Sequence, residues 1–397
     1  MPTYPTYKLG EICVIERGGS PRPIKDYLTK DDNGLNWIKI GDATLSNKYI
    51  YTTAEKIKPE GLSKTRMVES GDLILSNSMS FGRPYIMRTS GCIHDGWVVF
   101  RLNKDIIDEE YLYNILNSNE VYAQFNHLAT GSTVKNLNID RVKEVVIPLP
   151  PLPTQHAIVI RIETLFAELD KAVLHLRTAQ QQLKTYRQAV LNHWLNNDDG
   201  KWEIVKLGEV AEIKRGRSKH RPRNDKSLFG GKYPFIQTGE IREANGGTIT
   251  TYTQTYSEKG LEQSRLWPKG TLCLTIAANI AETAYLGFDA CFPDSVVGIL
   301  AQEDKLNLDY FNLFIQLVKQ EIENKASATA QKNINVDFLE NLNIALPPLT
   351  EQHRIVQEIE SRLSQATATE TYIENALQQA EALRQSILKK AFSGELV

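Results

Sequence analysis

The chain has 397 residues, and its 46 Lys and Arg against 48 Asp and Glu leave a formal net charge of -2 at pH 7. That length exceeds one ordinary domain and allows two or three with cores of their own, while the even charge balance excludes a uniformly basic surface, so any nucleic-acid contact must come from local clustering. No apolar run is long enough to span a bilayer, and the opening MPTYPTYKLGEI lacks the order of a signal peptide, which predicts a cytoplasmic protein with no membrane partner.

In chain order, the first block is KLGEICVIERGGS, from Lys8 to Ser20, and it runs into a loop whose Arg17, Ser20, Arg22 and Lys25, with Lys30 beyond them, are candidates for DNA contact. The short apolar runs LILS, WVVF and EVVIPL follow, bounded by Gly, Asn, Asp and Pro, and read as strands joined by turns. The loop after LILS presents Ser76, Asn77, Ser78 and Arg83, and the polar stretch GSTVKN offers Lys135 and Asn136. Pro150-Pro151 cannot continue a ladder or sit inside a helix, so it marks the end of a mixed α/β domain. Beyond it Ile158, Ile162, Leu165, Leu169, Ala172, Leu176, Ala179, Leu183, Tyr186 and Val190 step by four and three, the apolar seam of a long helix that needs a partner. The polar linker NNDDGKW ends that helix.

The chain then starts again. KLGEVAEIKRGRS, Lys206 to Ser218, matches the opening block at eight of thirteen positions. GCIHD finds ACFPD, KNLNID finds KNINVD, PPLPTQHAIVIRIE finds PPLTEQHRIVQEIE, and YRQAVLNHWL finds LRQSILKKAF, all in the same order. Collinear matches over this span identify an internal duplication whose halves share a fold. The second seam, Ile355, Ile359, Ala366, Ile373, Ala376, Ala380, Leu383 and Ile387, is interrupted by Arg362 and Thr369, with Leu363 displaced by one. Two helices from one chain pair most economically as an intramolecular antiparallel coiled coil, giving a pseudo-twofold arrangement. The predicted segments are 1–152, a domain; 153–196, a spacer helix; 197–349, a second domain; and 350–397, a second spacer helix. The expected class is α+β.

Catalytic signatures are scarce. There is no Walker A loop and no Asn/Asp-Pro-Pro-aromatic loop of an adenine methyltransferase, because the Pro-Pro pairs read LPPL and LPPL. Cys13, Cys92, Cys273 and Cys291 form no CxxC pair and have no histidine at ligand spacing, which predicts small reduced hydrophobes without zinc or disulfides. Pro293-Asp294 with Glu323-Asn324-Lys325 superficially fits the PD…ExK pattern of metal-dependent nucleases, but the residues around Glu323 have helical spacing where that chemistry needs a strand. What remains is contact chemistry. KRGRSKHRPRNDK, Lys214 to Lys226, concentrates Arg215, Arg217, Lys219, Arg221, Arg223 and Lys226 in a turn-rich loop suited to phosphates, and Arg17 aligns with Arg215. Asn279, after the strand LCLTI, and Lys332 with Asn333 complete the candidates for phosphate or base contact.

The KLGE openings, the domain endings in PPLxxQ, the long helices and the terminal LRQSILKKAFSGELV together resemble the specificity subunits of type I restriction-modification systems, over the whole chain. The copies differ at Pro153-Thr154 against Thr350-Glu351 and at His193-Trp194 against Lys390-Ala391. The resemblance implies two target-recognition domains reading the halves of an asymmetric, interrupted site in double-stranded DNA. It also implies two copies of a DNA adenine methyltransferase subunit and motor-nuclease restriction subunits as partners. S-adenosylmethionine, ATP and Mg would belong to those partners, and this chain itself would bind no cofactor. Two readings of other classes stay open here: a metal-dependent nuclease using Asp294, Glu323 and Lys325, and a scaffold binding protein or sugar.

Overall fold

The computed structural model describes residues 4–44, 46–77, 81–129, 138–196, 200–327 and 333–397. The chain divides into two compact units, one of Met1–Arg177 with Glu374–Val397 and the other of Thr178–Ile373.

In the first unit a five-stranded sheet runs in the order Cys13–Arg17, Trp97–Leu102, Leu73–Ser76, Pro84–Met87, Tyr49–Ile50. All its pairings are antiparallel except the last. Because side chains alternate across a strand, LILS serves two cores at once. Leu73 and Leu75 enter a cluster with Tyr111, Phe125 and Ile158, whereas Ile74 joins Trp97 and Tyr85 on the other face. A second five-stranded sheet lies in the order Leu28–Thr29, Glu55–Ile57, Leu35–Ile38, Gly91–Ile93, Arg66–Val68.

The second unit repeats the first sheet as Ala211–Arg215, Val296–Ala301, Leu272–Thr275, Thr283–Leu286, Thr248–Ile249. Its register is that of the first: Val98 sits opposite Arg17, and Val297 opposite Arg215. In place of the second large sheet stands a two-stranded ribbon, Phe229–Phe235 with Gln254–Tyr256, continued by single bridges from Phe235 to Cys291 and from Trp267 to Ala290. The helix that follows the sheet also differs. Leu308–Ser327 is continuous, while the first unit breaks it into Glu109–Leu116 and Asn119–Leu128, where Ser118 caps the second piece by accepting from the Val121 N–H.

The helices after the Pro-Pro pairs are Leu152–Leu195, of 44 residues, and Leu349–Ser393, of 45. Ile158 and Ile162 pack in the first unit with Ile387, Leu388 and Phe392, so the start of one helix meets the end of the other. In the second unit Val190, Leu191 and Leu195 meet Ile355, Val356 and Ile359. The pairing is therefore antiparallel. Arg384 bonds Asp170 in the first unit, and Arg187 donates to Glu370 at 2.8 Å in the second. Three positions of the expected seams are turned outward: Ala172, Tyr186 and Leu383 are exposed. A helix of 3.6 residues per turn drifts from a strict 3.5 repeat, so Val173 is half-buried beside exposed Ala172, and Arg384, over the Phe166 ring at 4.3 Å, does the covering beside Leu383.

One glutamine in each copy ties helix to domain. Gln155, fully buried, donates from Nε2 to the carbonyls of Ile106 and Pro150 at 2.8 Å and accepts from the Asp108 N–H at 2.9 Å. Gln352 repeats this with Lys305, Pro347 and Asn307 at 2.8 Å each. The glutamine of PPLxxQ is thus a structural rivet, with both amide N–H donors and the amide oxygen engaged inside the protein. All four cysteines are free and buried, and burial pushes the thiols of Cys92 and Cys291 up to about 11 and that of Cys13 to about 12. Among the described residues no helix is long and apolar enough to cross a membrane.

Candidate nucleic-acid interface

In each unit the first strand of the repeated sheet runs out into the basic loop beside a tight turn, His94 to Trp97 or Pro293 to Val296, whose second residue is aspartate. Glycine is required at the crossing. A Cβ on Gly18 would lie 2.1 Å from the His94 carbonyl oxygen, and one on Gly216 would lie 2.3 Å from that of Pro293. This close approach brings the arginines onto the aspartates. Arg17 Nε donates to the Asp95 carbonyl at 2.9 Å, and Arg215 makes the same bond to the Asp294 carbonyl.

The carboxylates then take a second arginine. Arg22 lies 3.5 Å from Asp95 Oδ2 with its side chain 81% exposed, and Arg223 Nη2 donates to Asp294 Oδ2 at 2.8 Å with its side chain 51% exposed. Ser20 Oγ donates to Asp95 Oδ1 at 2.8 Å, and this bond is the main reason the Asp95 carboxyl titrates below the usual carboxylate range.

The other loop candidates divide into two kinds. Arg221, although exposed, is committed to the loop itself, donating from Nη1 to the carbonyls of Ser218 and His220 at 2.7 and 2.8 Å. His220 Nε2 sits 2.9 Å from Asp225 Oδ2, and the N–H and hydroxyl of Ser227 hold the Asp225 carboxyl well below its ordinary range. In contrast, Lys25, Arg217, Lys219 and Lys226 are exposed and make no ion pair among the described residues.

The loop after the central strand lies against the same aspartate turn. Ser76 and Asn77 are buried: Ser76 Oγ accepts from the Arg83 N–H at 3.1 Å, and Asn77 donates from its backbone to Gly96 at 2.9 Å and from Nδ2 to the Asp95 carbonyl at 3.4 Å. They hold loop and turn together, while Arg83 is exposed. In the second unit half-buried Asn279 sits between Ala278 and Ala281, whose φ angles are +67° and +60°. Gly82, at φ +74°, occupies the place of Ala281 in the first unit without the Cβ, so Ala281 is strained by about 1 kcal/mol or more. Asn333 is half-buried, and the N–H of the next residue, Ile334, donates to the Ile276 carbonyl at 3.1 Å, which brings this stretch to the same loop. Ser78, Lys135, Asn136 and Lys332 lie outside the described residues.

Sequence reasoning missed the two aspartates as organisers of the site. The overlay of GCIHD on ACFPD carried the signal, since Asp is kept where His94 becomes Pro293. The nuclease pattern does not assemble: Glu323 and Lys325 both lie on the helix Leu308–Ser327, Lys325 faces the Phe338 ring at 5.6 Å, and Asp294 is engaged by arginines. Among the described residues no three His, Cys, Asp or Glu side chains are placed to hold a metal.

Two copies of one domain, each carrying an arginine loop braced on an aspartate turn and each riveted to a long helix, define a duplicated recognition protein. The chain belongs to the type I restriction modification DNA specificity domain family, whose model matches residues 1–175 and again 199–379. It is a specificity subunit, the non-catalytic member of its system. Among its relatives, the putative type I restriction enzyme MjaX specificity subunit of Methanocaldococcus jannaschii is 25% identical over 386 residues, 89% of each chain. The EcoKI specificity subunit of Escherichia coli K12 is 23% identical over 406 residues, 94% of this chain and 86% of that one. The fold is shared with a chain solved in work on complex assembly and conformational transition of the type I R-M system, at a TM-score of 0.83 and 21% identity, covering 100% of this chain and 99% of that one. It is also shared with the HsdS subunit of Thermoanaerobacter tengcongensis, at a TM-score of 0.63 and 22% identity, covering 100% and 98%.

Proposed function

We propose that this subunit reads a bipartite, asymmetric target in double-stranded DNA, one half-site per unit, through its arginine loops and the loops after the central strands. In this reading the exposed Arg and Lys side chains neutralise phosphates, while loop polar groups face base edges. Two DNA adenine methyltransferase subunits and motor-nuclease restriction subunits dock on the chain. They bring S-adenosylmethionine, ATP and Mg, and the methyltransferases flip the target adenine, whereas this chain binds none of these cofactors.

The observation that supports the reading most directly is the repeated bracing of an exposed arginine on Asp95 and on Asp294, at one sheet register, by loops of different sequence. A common frame with dissimilar loops suits two readers of unlike half-sites. The test is methylation mapping of genomic DNA from cells expressing the subunit with its methyltransferase, before and after residues 1–149 are replaced by the first domain of another family member. One half of the methylated motif should change and the other stay. A change in both halves would refute two independent readers.

A further inference from the structure

We infer that Asp95 and Asp294 are specificity-determining residues that occupy Arg22 and Arg223 until a DNA phosphate replaces them, and so restrain binding to non-target duplex. This inference rests on the DNA-reading function proposed above.

The first support is that the pairing recurs without being inherited position by position. Arg22 directly precedes Pro23, and the residue that directly precedes Pro222 is Arg221. Arg221 is committed to the carbonyls of Ser218 and His220, and Arg223, beyond the proline, supplies the guanidinium instead. The contact is kept although the residue making it has changed. Simple retention of an ancestral loop does not produce that result.

The second support is chemical. A guanidinium forks onto a carboxylate and onto a phosphate with the same geometry, so the aspartate is an internal stand-in for the DNA backbone. Both pairs are substantially solvent-exposed, and exposed pairs contribute at most about 1 kcal/mol, which leaves them displaceable. Arg17 and Arg215 bond the main-chain carbonyls of the same aspartates. They fix the turn, and nothing about their bonds requires exchange when DNA arrives.

The consequence is a toll on every encounter that only a fully matched duplex recovers through base contacts. Random duplex must displace a carboxylate for each arginine it engages. Removing that carboxylate raises affinity for any phosphate backbone and narrows discrimination.

The experiment uses the full chain co-purified with its methyltransferase. Fluorescence anisotropy would follow a labelled duplex carrying the mapped motif and one of scrambled sequence, over a series of salt concentrations. Asp294→Asn should bind scrambled duplex about fivefold more tightly, the upper range for releasing an exposed pair, and its log-log salt slope should steepen by roughly one. Motif binding should change less, and Asp294→Glu should restore wild-type values. In an Arg223→Ala background Asp294→Asn should have no effect, which separates exchange from mere support of the turn. Asp95→Asn, tested against Arg22→Ala, repeats the measurement in the other unit if the first variant unfolds. Unchanged or weaker scrambled-duplex binding by a folded Asp→Asn variant would sink the inference, as would an effect that persists without the arginine. Wild-type complex that binds neither duplex would overturn the DNA reading itself.

Discussion

His94 is the side chain beside the interface from which an acid sensitivity of the first unit is predicted. Its Nδ1 accepts the Gly96 N–H at 2.9 Å, which requires that nitrogen to be unprotonated. Burial, chiefly, holds its pKa below the ordinary value of 6.5, with Lys39 acting the same way against the opposing pull of Asp95. The unfolded chain therefore binds more protons than the folded one once the pH drops through that ordinary value, and folding stability is lost as pH falls. The first unit should become less stable between pH 7 and pH 5.5, and His94→Gln should flatten that dependence. Hydrogen exchange of the strand Trp97–Leu102 reads it, and an equal slope in variant and wild type would refute it. The second unit has Pro293 at this place and its strand Val296–Ala301 should not share the effect. At this scale the sequence was only partly legible. Alignment found Arg17 and Arg215, but the role of Asp95 and Asp294 depends on a contact across nearly eighty residues, set by sheet register rather than by local pattern.

Among elements, the long helices and their starts were the most legible, because Pro-Pro and heptad spacing are local signals. The helices begin at Leu152 and Leu349, directly after Pro151 and Pro348. Less visible was the helix that is continuous in one copy and broken at Asn117 in the other. Ser118 is as good a cap as any helical serine is a bystander, and only packing decides between them. The rivet Gln352 yields a prediction at this level. Gln352→Leu strands the Pro347 carbonyl in a buried place and the Asn307 N–H and Lys305 carbonyl in part-buried ones, and an unmet buried group costs about 1–3 kcal/mol, so a loss of about 2 kcal/mol is expected. Thermal unfolding would report it, with Gln182→Ala, on an exposed helical position, as the unaffected control. A Gln352→Leu protein as stable as wild type would show that water replaces these bonds.

For the whole molecule, the helix of 44 residues measures about 66 Å at 1.5 Å per residue. One heptad inserted after Ala179, matched by seven residues after Ala376, lengthens each helix by about 10 Å and keeps the seam in phase. The expected outcome is the same two methylated half-sites with a spacer longer by at most about three base pairs, at roughly 3.4 Å per pair. An active variant that keeps its original spacer would show that the helices do not set it. The division into units carries a different consequence, for the order of synthesis. Thr178–Ile373 is one uninterrupted stretch, so every residue of its core has been synthesised before Glu374 is added. The other unit is split: Tyr111 waits for Phe392, its edge-to-face partner at 5.4 Å, and Ile158 waits for Ile387 and Leu388. The domain translated first is therefore the last to be completed, because its core takes in Ile387, Leu388, Ala391 and Phe392.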